Sequence, residues 1–224
     1  MSAEVQVCGH PAVAHRLAHL RAERTPRWQF RELMAEISTF LAYEALADLR
    51  SGPVRVVTPV GEGECREMVE APLVVPVLRA GLGMVPGVQL VAPTCDVAHL
   101  GLKRDETTLA AVCYLDGLPS DLSGRRVVVC DPMLATGGSL IEAVRLMRAR
   151  HAARVQVLSV VASRPGLERF QVEGEGAEIW CAAVDPELDR RGYIVPGLGD
   201  AGDRLFGPPG EGLTAQARSW PLAR

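Results

Sequence analysis

Residues 126 to 139, Arg126-Val127-Val128-Val129-Cys130-Asp131-Pro132-Met133-Leu134-Ala135-Thr136-Gly137-Gly138-Ser139, constrain the fold of this chain more than any other stretch. A short β-branched apolar run that stops at an acid followed by proline reads as a buried strand ending at Asp131. Beyond Thr136, the two glycines and Ser139, the residues Leu140, Ile141, Val144, Leu146 and Met147 recur as one face of a helix. A strand, a loop of small residues and a helix N-terminus present unpaired backbone N–H groups and the positive end of a helix dipole. The glycines leave no Cβ in the way, so a phosphate group can settle there, with Thr136 and Ser139 adding hydroxyl donors. Asp131 only accepts, which suits ribose hydroxyls or a metal-bound water and not a phosphate. The plain alternative is an ordinary strand-to-helix connection with a glycine turn and a Ser or Thr cap. A Walker loop is excluded, because neither Gly-Lys-Ser nor Gly-Lys-Thr follows.

The 224 residues suffice for one α/β domain with a sizeable core, and 48% hydrophobic with 23% charged residues is a globular composition. A net charge of −3 argues against broad nucleic-acid binding while leaving room for a local basic pocket. Cys8, Cys65, Cys95, Cys113, Cys130 and Cys181 are scattered, form no C-x-x-C pair and follow no secretory signal. They read as reduced, mostly buried thiols of a cytoplasmic protein without a zinc site. No apolar run is long enough to cross a membrane.

Along the chain, residues 1–50 read as an N-terminal helical pair. His10 to Arg24 carries Val13, Leu17 and Leu20, and Thr25-Pro26 reads as a cap with proline at the first helical position. A longer amphipathic helix through Phe30, Met34, Ile37 and Leu41 follows, until Gly52-Pro53 breaks it. Residues 52–70 read as a hairpin whose strands, Val54 to Val60 and Cys65 to Val69, flank a Gly-Glu-Gly turn. Leu73 to Leu78 is a further apolar strand ending at Arg79-Ala80-Gly81-Leu82-Gly83. An arginine there is either solvent-exposed decoration or a guanidinium fork for a pyrophosphate. Asp96 to Leu102 and Leu109 to Leu115 read as strands around a charged turn, and Val155 to Ala162 and Ala177 to Ala183 as two more. Strands alternating with helices from residue 73 onward imply a mostly parallel twisted sheet with helices on both faces and ligands at the strand carboxyl ends. Gly197 to Gly202 formally matches G-x-G-x-x-G, but too little chain follows to build the βαβ unit that a dinucleotide site needs.

Asp131 to Ser139 resembles the phosphoribosyl-diphosphate (PRPP) loop of the type I phosphoribosyltransferases, and its wording is similar to that of the uracil phosphoribosyltransferase family. Pro76-Val77-Leu78-Arg79-Ala80-Gly81-Leu82-Gly83-Met84 resembles the second PRPP-binding segment of that family, and residues 191–203 resemble its uracil-binding loop. The resemblance extends from His10 to Gly207. It implies the type I phosphoribosyltransferase fold over 1–224, with a core at 73–207 and a hood at about 102–115. It further implies transfer of phosphoribosyl from PRPP to uracil, giving UMP and diphosphate. The PRPP contacts implied are Arg79, Arg104, Asp131, Pro132, Met133, Leu134, Ala135, Thr136, Gly137, Gly138, Ser139 and Asp200. The uracil contacts implied are Ile194, Gly199, Asp200 and Ala201, and the catalytic set is Arg79, Arg104, Asp131 and Asp200.

Mg²⁺ is expected to be carried by PRPP and water, with Asp200 as its contact on the protein, and not by a dedicated carboxylate cage. A homodimer or larger homo-oligomer is expected, with GTP as a candidate effector and neither membrane nor nucleic acid as a partner. Where relatives across the superfamily carry two adjacent acids, this chain has Asp131-Pro132. In the hood, Lys103 replaces a common aromatic and Ala110-Ala111 a Glu-Pro. The alternative reading is a non-catalytic or RNA-binding regulator derived from the same fold, for which a basic face would be expected.

Overall fold

The structure is a computed structural model that describes residues 4–104 and 111–208. It begins with strand β1 (Val5–Val7), then helices α1 (Pro11–Arg21) and α2 (Arg27–Ala45), then a hairpin of β2 (Ser51–Thr58) and β3 (Gly61–Met68). Strand β4 (Leu73–Leu78) leads through a tight helical turn at Ala80–Gly83 into α3 (Val85–Val91), β5 (Asp96–Val97), β6 (Leu100–Arg104) and β7 (Ala111–Asp116). Next come β8 (Arg126–Cys130), β9 (Met133–Leu134), α4 (Gly138–Ala149), β10 (Arg154–Ser163), α5 (Arg164–Glu173) and β11 (Glu178–Asp185). The short strands β12 (Glu187–Leu188) and β13 (Ile194–Val195) and the helix α6 (Ala201–Phe206) complete it.

The main sheet runs in the order β1-β11-β10-β8-β4-β6-β7, with β5 beside β4 and β9 beside β10. Every ladder in it is parallel except β6 with β7. Parallel strands must be covered on both faces, and β8 shows how the sequence meets that demand. Alternate side chains of a strand point to opposite faces, so Val127 and Val129 join Val75, Leu140, Val144 and Phe170 in one core. Val128 and Cys130 join Phe30, Met34, Met84 and Val88 in the other. Arg126 opens this buried strand by pairing with Asp48 at 2.6 Å and Glu70 at 3.1 Å. Hydrogen bonding from Arg126 holds the Asp48 carboxyl down at about 2.

Several sequence expectations need correction. The chain opens with β1, not with a helix: Val5-Gln6-Val7 is too short for a periodicity signal and is held by pairing with β11. Helix α1 ends at Arg21, and Pro26 occupies the N-cap of α2 in extended conformation without a side-chain cap bond. Thr25 does not cap the helix; its hydroxyl instead donates to the His19 carbonyl at 2.5 Å. Helix α2 stops at Ala45, well before Gly52-Pro53, which lie inside β2. Pro53 is tolerated there because the hairpin is a separate two-stranded sheet with open edges. The hairpin turn falls at Pro59-Val60, where the Thr58 hydroxyl accepts from the Val60 N–H and donates to the Gly61 carbonyl, so Gly61-Glu62-Gly63 belong to β3. Of the six cysteines only Cys130 and Cys181 are buried; Cys65 and Cys113 are exposed because they sit on the hairpin and on the edge strand β7.

Candidate active site

Strand β8 ends where the sequence predicts, and Asp131 follows it at the carboxyl edge of the sheet. Burial among its neighbours pushes the Asp131 carboxyl up to about 7, opposed by the Met133 N–H, which donates to its Oδ1 at 3.2 Å. Pro132 and Leu134 are buried, and the Pro132 carbonyl accepts from both Val160 and Val161 N–H. These two residues anchor the loop, while Met133 and Ala135 face the cavity. Gly137 is the N-cap of α4 at φ 80° and offers no side-chain cap. The Ile141 N–H bonds back to the Gly137 carbonyl at 2.9 Å, which leaves the N–H groups of Gly138, Ser139 and Leu140 ahead of that bond. An uncapped first turn of a twelve-residue helix is an anion site by its own electrostatics.

Arg79 stands at the end of β4, after a cis Leu78–Arg79 peptide. The turn that carries it lies against β8 because Gly81 has no side chain: a Cβ there would come within 2.2 Å of the Cys130 carbonyl oxygen. The Arg79 guanidinium is half exposed and meets the Asp203 carboxylate at 3.1 Å. Arg104 is the last residue of β6 and pairs in register with Ala111. Its side chain and residues 105–110, the middle of the expected hood, lie outside the described residues.

The residues of the expected base loop come together with the loop that follows β8. One open pocket of about 230 Å³ is lined by Ala80 from the Arg79 turn and by Asp131, Met133 and Ala135. Its other wall is Gly192 to Ile194 and Gly199 to Gly202. Ile194, Gly199, Asp200 and Ala201 therefore face Asp131 across a single cavity. Thr136 does not line it but lies one residue beyond Ala135, at the mouth of α4. Asp200 is the N-cap of α6, its Oδ1 accepting the Asp203 N–H at 2.9 Å. Asp189 shapes the approach by accepting the N–H groups of Arg191 and Tyr193, each at 2.8 Å.

Four arginine and acid positions near these loops escape the sequence reading. Arg169 of α5 donates to the Thr136 carbonyl at 3.3 Å, placing a cation beside the first turn of α4. Arg204 of α6 donates to the Leu198 carbonyl at 2.8 Å and lies 4.3 Å over the Phe30 ring. Arg21 and Asp185 pair beneath Gly197. None of these carries a local motif; each is recognisable only once distant segments meet. Among the described residues no three His, Cys, Asp or Glu side chains gather as a metal-binding group.

The family model described as uracil phosphoribosyltransferase matches residues 7–208. The uracil phosphoribosyltransferase of Kocuria rhizophila is 48% identical over 206 residues, covering 91% of this chain and 98% of that one. That of Clostridium beijerinckii is 45% identical over 208 residues, covering 92% and 99%. A solved protein of Aquifex aeolicus superposes with a TM-score of 0.85 at 37% identity, over 91% of this chain and 98% of that one. A hypoxanthine phosphoribosyltransferase from Staphylococcus aureus, at 13% identity and a TM-score of 0.50 over 75% and 84% of the two chains, shares the fold alone. This chain belongs to the uracil phosphoribosyltransferase family, a family of pentosyltransferase enzymes built on the type I phosphoribosyltransferase fold.

Proposed function

We propose that this chain forms UMP and diphosphate from uracil and PRPP in the cavity between Asp131 and Ile194. The observation that carries the reading is the shared pocket: Asp131, Met133 and Ala135 on one wall, Ile194, Gly199, Asp200 and Ala201 on the other. The ribose 5-phosphate occupies the first turn of α4, held by the amides from Thr136 to Ser139 and by the two hydroxyls. Asp131 accepts from the ribose hydroxyls. Arg79 grips the diphosphate, with Arg104 as its second cation.

Breaking the bond at ribose C1 puts positive charge on the sugar and negative charge on the departing diphosphate, so useful groups are those that stabilise the latter as it leaves. Arg79 already faces a carboxylate, Asp203, and exchanges that partner for the stronger anion. Mg²⁺ supplies further neutralisation of diphosphate charge when bound. Asp131 and Asp200, both on the pocket wall, fit it as carboxylates that would accept hydrogen bonds from its bound waters, in keeping with the small number of protein ligands this ion takes. Uracil presents a donor at N3 between two carbonyls, and cytosine reverses that polarity. Backbone groups of Ile194, Gly199 and Ala201 match the first pattern and leave unpaired buried groups against the second.

The same reading includes assembly as a homodimer or larger oligomer, a GTP effector, and a cytoplasmic setting. Exposed Trp28 and Tyr43 on α2, and Val57, Val60 and Met68 on the hairpin, supply apolar surface for self-association. UMP formation measured with Mg²⁺ and PRPP over uracil, cytosine, hypoxanthine and orotate tests the assignment. Uracil alone is expected to turn over; cytosine at a tenth of the uracil rate contradicts the base-loop reading.

A further inference from the structure

Asp185 is the last residue of β11 and is 5% exposed, yet none of its atoms lines the pocket. Both of its oxygens are taken by Arg21 from the last turn of α1: Nη1 donates to Oδ2 at 2.6 Å and Nη2 to Oδ1 at 2.7 Å. The same two side chains hold a single residue of the base loop on both sides. The Gly197 N–H donates to Asp185 Oδ2 at 2.9 Å, and the Gly197 carbonyl accepts from Arg21 Nη1 at 2.7 Å. Only a residue without Cβ fits there, since Gly197 has φ 58° and an added Cβ would lie 2.1 Å from the Ile194 carbonyl oxygen.

The next carbonyl, Leu198, is taken by Arg204 at 2.8 Å, and Arg204 in turn holds the Ala22 carbonyl at 2.6 Å just past Arg21. Gly197 and Leu198 are thus tied to the C-terminal end of α1. They lie between Ile194 and Gly199, the residues that face the base. A largely buried, doubly hydrogen-bonded ion pair contributes little net stability beyond what apolar packing would, but it fixes geometry, because breaking it strands the Asp185 charge. Selection by backbone donors and acceptors depends on their staying in register to within a fraction of an ångström.

We infer that the Arg21–Asp185 pair positions the base-recognition loop and thereby sets the choice of uracil over cytosine, without touching either substrate. This rests on the assignment of Ile194, Gly199 and Ala201 as the base wall. Loss of the fork leaves the PRPP side of the cavity in place, because Asp131, Ala135 and α4 are held by β10 and α5 instead.

The test compares wild-type protein with Arg21→Lys and Asp185→Asn, using uracil, cytosine and Mg²⁺-PRPP in steady-state assays. Lysine keeps the charge but cannot serve Asp185 and the Gly197 carbonyl through a planar fork. Expected for both variants are a uracil KM raised tenfold or more, a PRPP KM within twofold of wild type, and a uracil-to-cytosine ratio of kcat/KM lowered at least tenfold. A merely structural pair would lower Tm and move both KM values together, or neither, and that result overturns the inference while leaving uracil turnover by the wild type intact. Absence of UMP formation by the wild type overturns the base-wall assignment and the inference with it. Amide exchange of the ligand-free wild type gives a reading that does not depend on variants folding. The Gly197 amide is expected to be protected to the level of β11, and exchange at the rate of an exposed loop refutes a pre-set collar.

Discussion

Protonating Asp131 is expected to weaken PRPP binding across neutral pH. With its carboxyl pushed up to about 7, Asp131 is roughly nine-tenths ionised at pH 8, half ionised at pH 7 and one-tenth ionised at pH 6. If the ribose hydroxyls are held by the ionised form, the PRPP KM rises about tenfold from pH 8 to pH 6, equivalent to about 1.4 kcal/mol. The sign for stability runs the opposite way from that of an ordinary surface acid. Between its ordinary value of 3.8 and about 7 the folded chain keeps a proton that the unfolded chain has released, so the stability contributed by this group falls as pH rises through that window. Initial rates at saturating uracil and Mg²⁺, with PRPP varied from pH 6 to 8, measure the first effect. The substrate's own phosphates also titrate there, so Asp131→Asn serves as the control. It removes the tenfold change in KM and leaves only the slope that belongs to PRPP. Equal slopes in wild type and Asp131→Asn would refute the argument.

Asp200→Asn is expected to keep the cap of α6, because asparagine accepts the Asp203 N–H as well as aspartate does, and so to leave Tm nearly unchanged while lowering kcat at least about tenfold. Near-normal turnover would remove the Asp200 charge from the chemistry. Gly137→Ala forces a side chain into left-handed backbone at φ 80° and should cost about 1 kcal/mol in denaturant titrations, raising the PRPP KM more than the uracil KM. Phe30→Ala empties a fully buried ring site and should cost about 3–5 kcal/mol, seen as a Tm lowered by roughly 6 to 20 °C, and should loosen Arg204, which lies over that ring.

What the sequence made legible follows from where the physical signal is local. Strands β4 and β8 are continuous apolar runs because both faces are covered, and each was bounded to within a residue or so. The loop between β8 and α4 was legible as a loop entering a helix because glycines, a hydroxyl pair and a helix stripe stand side by side, and Asp131 and Ala135 do line the cavity. The first strand and the position of the hairpin turn were not. Val5-Gln6-Val7 becomes a strand only against Ile179, Trp180 and Cys181, and β3 is exposed along its whole length and carries no alternation to read. Leu134 and Pro132 belong to the loop motif yet serve as its anchors, a distinction that burial makes and residue type does not. The Arg21–Asp185 bond joins residues 164 positions apart, and no spacing rule reaches that far.

The order of the elements along the chain carries one more consequence. The nine-stranded sheet is finished at Asp185, and the pocket wall opposite Asp131 is threaded on afterwards by residues 192 to 202. A polypeptide emerging from the ribosome therefore has every strand of that sheet, and the loop from Asp131 to Ser139, before the facing side of the pocket exists. Ile194, Leu198, Ala201 and Leu205 of that late segment are themselves buried against Phe30 and Met34, so the last residues to be made close the pocket and one half of the core together.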